Sequence, residues 1–255
     1  MIANYHTHTY RCRHANGTEE EYVQAAIEMG LDIFGFSDHS PYWFGCDYYS
    51  TYRMFPEQLP DYVDTVLQLQ KKYAGQIEIP LGLEAEYYPA YFPEMLEKVR
   101  DAGIEYLLLG QHFGGNEIGE HYCGRATADT AVLKQYCYQV ADAMETGLFS
   151  YLAHPDLIYY TGSRKTYQEN MRLICRAAKE CHLPLEVNLL GFYSGRHYPN
   201  PDFWELAAEE GCTVILGRDA HDPDALLDEK TENKARERIC ALGVQLVDKV
   251  PLRKI

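Results

Sequence analysis

Residues 1–41 read MIANYHTHTYRCRHANGTEEEYVQAAIEMGLDIFGFSDHSP, a stretch that holds one complete strand–helix–strand unit. Ile2-Ala3-Asn4-Tyr5 reads as a short strand, because β-branched and aromatic side chains suit a pleated, half-buried surface. Thr18 followed by Glu21 is a capping-box signature, and Tyr22, Ala25, Ala26 and Met29 form an apolar stripe that Gly30 stops. Leu31 to Ser37 is then a near-continuous apolar strand ending at Asp38-His39. Side chains alternate along a strand, so His6 and His8 point the same way from the C-terminal end of the first one. Two adjacent imidazoles are half of a chelating site, and His14 lies close enough in sequence to feed the same centre or one beside it.

The same unit recurs along the chain. Residues 42–58 are an aromatic, irregular excursion, too long for a simple turn and suited to a pocket wall. A helical pattern at about 60–74 precedes a strand over 77–83 that leads to Glu84-Ala85-Glu86. A helix at about 92–102 precedes Tyr106 to Leu109 and His112, and a helix over 127–146 precedes Tyr151 to His154. Helix 166–181 leads to Leu185-Glu186-Val187-Asn188, and a helix at about 201–210 leads to Thr213 to Gly217, Asp219 and His221. A charged helix near 224–242 and a strand Val244 to Val247 end the pattern. Seven strands alternating with helices predict an α/β fold with a parallel sheet, most simply a closed barrel. No linker, repeat or low-complexity tract divides it, so residues 1–255 read as a single domain.

Composition narrows the function. The formal net charge of −15 argues against a nucleic-acid polymer or an anionic membrane as partner. It would also repel a phosphorylated substrate, unless local cations reverse the field, and metal ions are the strongest available. Eight cysteines show no Cys-x-x-Cys pair and no disulfide-scaffold spacing, and most fall in core patterns as small apolar residues. No signal segment opens the chain and no apolar run approaches the roughly 20 residues of a membrane span, so a cytoplasmic location is expected.

Six of the seven strands finish on a metal-competent residue or pair: His6/His8, His39 with Asp38, Glu84, His112, His154, and Asp219/His221. In a parallel barrel the C-terminal ends of the strands converge on one face, which carries the active site. A lone strand-end histidine is ordinarily a hydrogen-bonded structural residue, Glu86 rivals Glu84, and Asp38 and Asp156 suit turns or the orienting of a histidine. It is the recurrence on nearly every strand that signals a metal centre. Imidazole and carboxylate donors without cysteine suit zinc, manganese or iron. Nine candidates exceed one coordination sphere, so two or three divalent ions are expected, and clustered ions suit hydrolysis of a phosphate ester.

His6-Thr7-His8, Cys12-Arg13-His14-Ala15, Gly35 to Pro41 and Gly82 to Glu86 resemble the polymerase-and-histidinol-phosphatase (PHP) superfamily. Gly110 to Phe113, Ala153 to Leu157, Glu186 to Asn188 and Asp219 to His221 continue the resemblance in order, nearest to its monofunctional histidinol-phosphatase branch. The resemblance implies a distorted (β/α)7 TIM-like barrel and a trinuclear centre. His6, His8, Glu84 and Asp219 would hold one ion, with Glu84 bridging to a second completed by His112 and His154. His14, His39 and His221 would hold the third. The implied reaction converts L-histidinol phosphate and water to L-histidinol and phosphate, with a metal-bound hydroxide attacking phosphorus in line. Asp219, His221 or His39 is expected to protonate the departing alkoxide. Arg218 replaces the family's usual serine before Asp219, near the expected phosphate, and Gln111 stands where a small or aliphatic residue is usual.

Arg164 and Arg196 are further candidates for the phosphate, while Trp43 and Tyr193 are candidates for walling the imidazole, with Asp47 or Glu86 attracting its ammonium group. Two other phosphoesterase substrates fit the same centre, nucleotide phosphates and phosphotyrosine. A metal-dependent amidohydrolase fits less well, for no lysine ends the central strands. A reading of another class is a non-catalytic metal-binding protein.

Overall fold

The computed structural model describes residues 1–255. Its strands are β1 (Ala3–Asn4), β2 (Ile33–Phe34), β3 (Phe36–His39), β4 (Leu81–Ala85), β5 (Tyr106–Leu109), β6 (Phe149–Leu152), β7 (Leu185–Asn188), β8 (Thr213–Gly217) and β9 (Gln245–Val247). Its α-helices are α1 (Glu19–Glu28), α2 (Leu59–Lys72), α3 (Phe92–Asp101), α4 (Thr130–Glu145), α5 (Arg164–Glu180), α6 (Leu189–Tyr193), α7 (Pro201–Glu210) and α8 (Glu229–Cys240). No helix is long and apolar enough to cross a membrane.

Strands β3 to β9 lie side by side in chain order, all parallel, and β1 pairs in parallel with β2. β2 and β3 are one stave interrupted at Gly35, whose N–H donates to the Asn4 carbonyl at 2.8 Å. The first stave runs on past Asn4, because the Ser37 N–H donates to the Thr7 carbonyl at 2.9 Å. On its other edge the His8 N–H donates to the Ala220 carbonyl at 2.9 Å, and the Ala220 N–H to the His6 carbonyl at 3.2 Å. These bonds join the first stave to the seventh, so the α/β architecture is a closed (β/α)7 barrel. It is distorted at the opposite rim, where β9 pairs with the start of β8 in the register Thr213↔Gln245.

Two cores result. Tyr5, Tyr106, Leu108, Tyr151, Ile215 and Val250 fill the lower barrel interior. A Cβ at Gly82 would collide with the Tyr106 ring, so the missing side chain on one stave makes room for the large one on the next. The Tyr106 hydroxyl reaches the carbonyls of Tyr5 at 2.9 Å and Phe36 at 3.0 Å, so the buried phenol is satisfied. The larger core lies outside, where residues such as Val140, Met144, Met171 and Ile174 on α4 and α5 cover the sheet. Each such fully buried side chain contributes on the order of 1.5–3 kcal/mol.

Helix α1 begins as expected, with the Thr18–Glu21 capping box formed in both directions. The expected strands at 31–37 and 77–83 instead run two residues or more later, at 33–39 and 81–85. Leu31, Ile77 and Ile79 are buried packing residues below the ladder, and the polar residues Ser37 to His39 and Glu84 belong to it. The short helix α6 was not expected; Asn188 caps it by accepting from the Gly191 N–H at 2.8 Å.

Candidate metal centre

At the C-terminal ends of the staves the interior changes from apolar to polar. His6, His8, Glu84, Glu186, Asn188, His154 and Asp219 are all buried. Glu84 lies at the middle: one oxygen is 2.7 Å from His154 Nε2 and 3.7 Å from His112 Nε2. The other is 3.0 Å from His39 Nδ1, 3.5 Å from His6 Nε2 and 3.6 Å from His8 Nε2. Asp219 Oδ1 approaches His8 Nε2 at 3.1 Å and His6 Nε2 at 3.5 Å. A Cβ at Gly110 would overlap the Glu84 carboxylate, so this glycine opens the space that Glu84 occupies.

Backbone conformation adds to the picture. His154 and Asp219 sit at φ 30° and 48°, in the left-handed region. Such non-glycine positions cost on the order of 1–3 kcal/mol each and persist where surrounding structure holds them, commonly at functional sites.

Behind the ring atoms stands a set of acceptors. His6 Nδ1 donates to Glu186 at 2.8 Å, His112 Nδ1 to Glu86 at 2.9 Å, His14 Nδ1 to the Cys12 carbonyl at 2.9 Å and His221 Nδ1 to the Asp219 carbonyl at 3.0 Å. Asp38 lies 3.4 Å from His8 Nδ1 and accepts from the Thr9 hydroxyl. Fixing the proton on Nδ1 leaves Nε2 with its lone pair facing inward, the arrangement of metal-bound histidines. The Nε2 atoms of His14 and His221 then meet at 2.9 Å, an arrangement that needs a proton or cation between them.

Electrostatics separates two groups. Burial, and then the neighbouring His8, hold His14, His39 and His221 below the ordinary imidazole range, so these three are neutral donors. Burial also opposes charge on His6 and His8, but nearby carboxylates override it, raising His6 well above its usual value and His8 to about 9. Glu84 and Asp219 stay well below the carboxylate range despite burial, because imidazoles surround them.

The residues fit bound cations. His6 Nε2, His8 Nε2, His39 Nδ1 and one Glu84 oxygen are buried without a hydrogen-bond partner, and buried polar atoms seldom go unpaired. Several groups of donor atoms lie within 4.8 Å of one another, among them His6, His8 and Asp219; His6, Glu84 and His154; and His14, His39 and His221.

Above this floor opens a cavity of about 590 Å³ walled by Tyr52, Phe113, Tyr122, Leu157, Leu190, Arg196 and Tyr198. Arg196 is the one candidate arginine on its lining, and it donates to the Tyr198 hydroxyl at 2.6 Å. Other expected substrate residues are placed elsewhere. Arg218 is turned away onto α8, paired with Glu232 at 2.6 Å and with the Asp228 carbonyl at 2.8 Å, because Asp219 beside it takes the inward position. Arg164 lies on the outer surface, bound to Asp202 at 2.8 Å and Glu205 at 2.7 Å. Trp43 packs under the Lys98 ammonium at 4.9 Å, and Tyr193 is 71% exposed at the end of α6. Asp47 lines a separate cleft formed by the 42–57 segment, and Glu86 is buried behind His112 rather than open to a ligand. Asp156 orients no histidine; it accepts from Trp204 Nε1 at 3.1 Å, and burial pushes its carboxyl up to about 7.

Two neighbours of the centre carry little signal in the sequence. Glu186 was read as part of a strand, although it shares a face with Asn188, whose amide donates to Glu186 at 2.8 Å and to Asp219 at 2.9 Å. Cys12 is one of eight cysteines of which most read as packing residues, and its sulfur lies within 4.8 Å of ring nitrogens of His8 and His221.

The chain is similar to several known proteins. The chain is 32% identical over 231 residues to a probable histidinol-phosphatase of Deinococcus radiodurans, covering 87% of each. It is 24% identical to the histidinol-phosphatase of Bacillus subtilis, covering 85% of this chain and 92% of that one. Its fold matches the crystal structure of histidinol phosphate phosphatase from Lactococcus lactis, complexed with zinc, L-histidinol and phosphate, with a TM-score of 0.74 at 22% identity. That match covers 96% of this chain and 95% of the other. Residues 4–189 match the PHP domain, and the chain belongs to the PHP domain family.

Proposed function

We propose that the chain is a phosphoric monoester hydrolase that works with bound divalent ions, and that L-histidinol phosphate is its substrate. The observation that carries this reading is the cavity floor, where inward-facing ring nitrogens and carboxylate oxygens lack partners of their own. The names of the Deinococcus and Bacillus relatives, and the zinc, L-histidinol and phosphate bound by the Lactococcus protein, support the substrate.

His6, His8, Glu84 and Asp219 would hold one ion, Glu84, His112 and His154 a second, and His14, His39 and His221 a third. Zinc, manganese or iron suits these donors. Such ions neutralise phosphoryl oxygens and bring the pKa of water to about 7. Arg196, steadied by Tyr198, faces the cavity as a fixed cation for a phosphoryl oxygen. Tyr52, Phe113 and Tyr122 offer flat faces to an imidazole ring. Asp219, His221 and His39 line the same cavity and are the groups for passing a proton to the departing alkoxide.

Kinetics on histidinol phosphate, nucleoside bisphosphates and phosphotyrosine test the proposal. The expected outcome is the highest kcat/KM for histidinol phosphate. Negligible preference for it removes the substrate assignment and leaves a phosphoesterase of another specificity. Phosphate release from none of them, with ions still bound, leaves a metal-binding protein without this activity. His8→Ala and Asp219→Ala are expected to abolish turnover, and near-normal rates in both would contradict the assigned centre. Arg196→Met is expected to lower kcat/KM roughly 10- to 150-fold, the loss of one charged hydrogen bond of about 1.5–3 kcal/mol.

A further inference from the structure

We propose that Arg53 is a positioning residue for His112, acting through Glu86, and that this link makes ion binding at His112 and the order of residues 42–58 mutually dependent. The inference rests on ions binding at the centre, not on which ester is hydrolysed.

Arg53 is only 2% exposed, in the middle of a segment whose tip at Gly45, Cys46 and Asp47 lies open to solvent. Its guanidinium is fully used. Nε donates to Glu117 at 2.8 Å, one terminal nitrogen donates to the Ser40 carbonyl at 2.6 Å, and the other is 3.0 Å from Glu86 Oε1 and bonded to the Tyr52 hydroxyl. Glu86 and Glu117 are themselves buried.

Glu86 Oε1 is the shared point. It accepts from His112 Nδ1 at 2.9 Å and from the Tyr52 hydroxyl at 2.6 Å, besides facing Arg53. Its second oxygen has no partner, so the carboxylate is held entirely on the side facing His112 and Arg53. Tyr52 meets the His39 ring edge-on at 5.0 Å and stacks on Phe113 at 5.7 Å, forming cavity wall. Glu117 receives Tyr48 as well, at 2.8 Å, so Tyr48, Tyr52 and Arg53 are fastened to one cluster.

The cluster pairs one guanidinium with two buried carboxylates and is one negative charge in excess. A cation bound by His112 Nε2 is the nearest source of balance, transmitted through the His112–Glu86 hydrogen bond. Binding energy that fixes His112 then also fixes Glu86, Arg53 and Tyr52. By linkage, a segment already in place raises the affinity for the ion.

Two readouts test the link, neither needing a substrate. Zinc affinity is measured by chelator competition, with ions per chain counted by elemental analysis. The rate of proteolysis at residues 44–49 is measured with and without zinc. In the wild type, zinc is expected to slow cleavage at least tenfold. Arg53→Lys and Glu86→Gln are each expected to weaken the binding of one ion 10- to 100-fold, the usual effect of losing a ligand's hydrogen-bond partner, and to remove the zinc-dependent protection. Tyr52→Phe, which deletes one hydroxyl and no charge, is expected to reduce protection with the fold intact by circular dichroism. A purely structural Arg53 predicts lower melting temperatures with ion affinity and protection unchanged, and that result overturns the proposal. Because hydrolysis enters neither readout, failure here leaves the phosphatase reading standing, and the converse also holds.

Discussion

At His6, one hydrogen bond decides which ring nitrogen faces the cavity: Nδ1 is tied to Glu186, and Nε2 is left inward without a partner. Glu186→Gln keeps the shape and removes the charge. It is expected to weaken metal affinity or activity 10- to 100-fold, as measured by competition with a chelating dye, and an unchanged affinity would deny Glu186 this role. The ligand-type residues were legible in the sequence because all but His14 stand at or just past strand ends. Glu186 was not legible, since it sits inside a strand and only its two-residue spacing from Asn188 marks it. The arginines were not legible either. Arg196, Arg164 and Arg218 all follow strands in sequence, and what separates them is whether a carboxylate far along the chain claims them. Asp202, Glu205 and Glu232 claim two of the three.

At the scale of elements, the strands were found but their limits were not. A run of apolar residues reads as the strand itself, whereas here the ladder extends into the polar residues under the cavity. Close packing inside the barrel was also beyond the sequence, since it depends on which residues of neighbouring staves share a level. Gly82→Ala forces a methyl group into the Tyr106 ring and is expected to cost about 1–3 kcal/mol, measured by urea unfolding. Helix α8 is held by the buried Arg218–Glu232 pair. Burial would raise the Glu232 carboxyl, but the Met1 amino group and Arg218 override this and hold it below the usual 4.5. The stabilisation is therefore complete above about 4.5 and is lost as pH falls through the folded value. Glu232→Gln is expected to cost about 3 kcal/mol at neutral pH, by leaving Arg218 uncompensated, and the gap to wild type should close on acidification. A gap independent of pH would assign the loss to packing.

For the molecule as a whole, alternating strands and helices made the barrel class legible, and the ordered strand-end residues pointed to the one face on which imidazoles and carboxylates gather. The addition of β9 was less so, because a three-residue strand carries little pattern. All eight cysteines are unpaired, and Cys46 and Cys240 alone are exposed. Burial pushes the thiols of Cys12, Cys123 and Cys137 well up. Brief alkylation of the native protein is expected to modify Cys46 and Cys240 first, with the buried thiols reacting only on unfolding, as read by intact-mass spectrometry. Equal labelling of buried and exposed thiols would mean that the barrel opens readily.

The closure of the barrel also sets an order of events during folding. One edge of Thr7 is closed by Ala220, and the Tyr5 hydroxyl bonds only at Val250, so the first stave is completed only by residues far along the chain. Such distant pairings form slowly. Until Asp219 and His221 are in place, the other imidazoles and Glu84 stand without them, so the proposed donor set is whole only once the barrel closes.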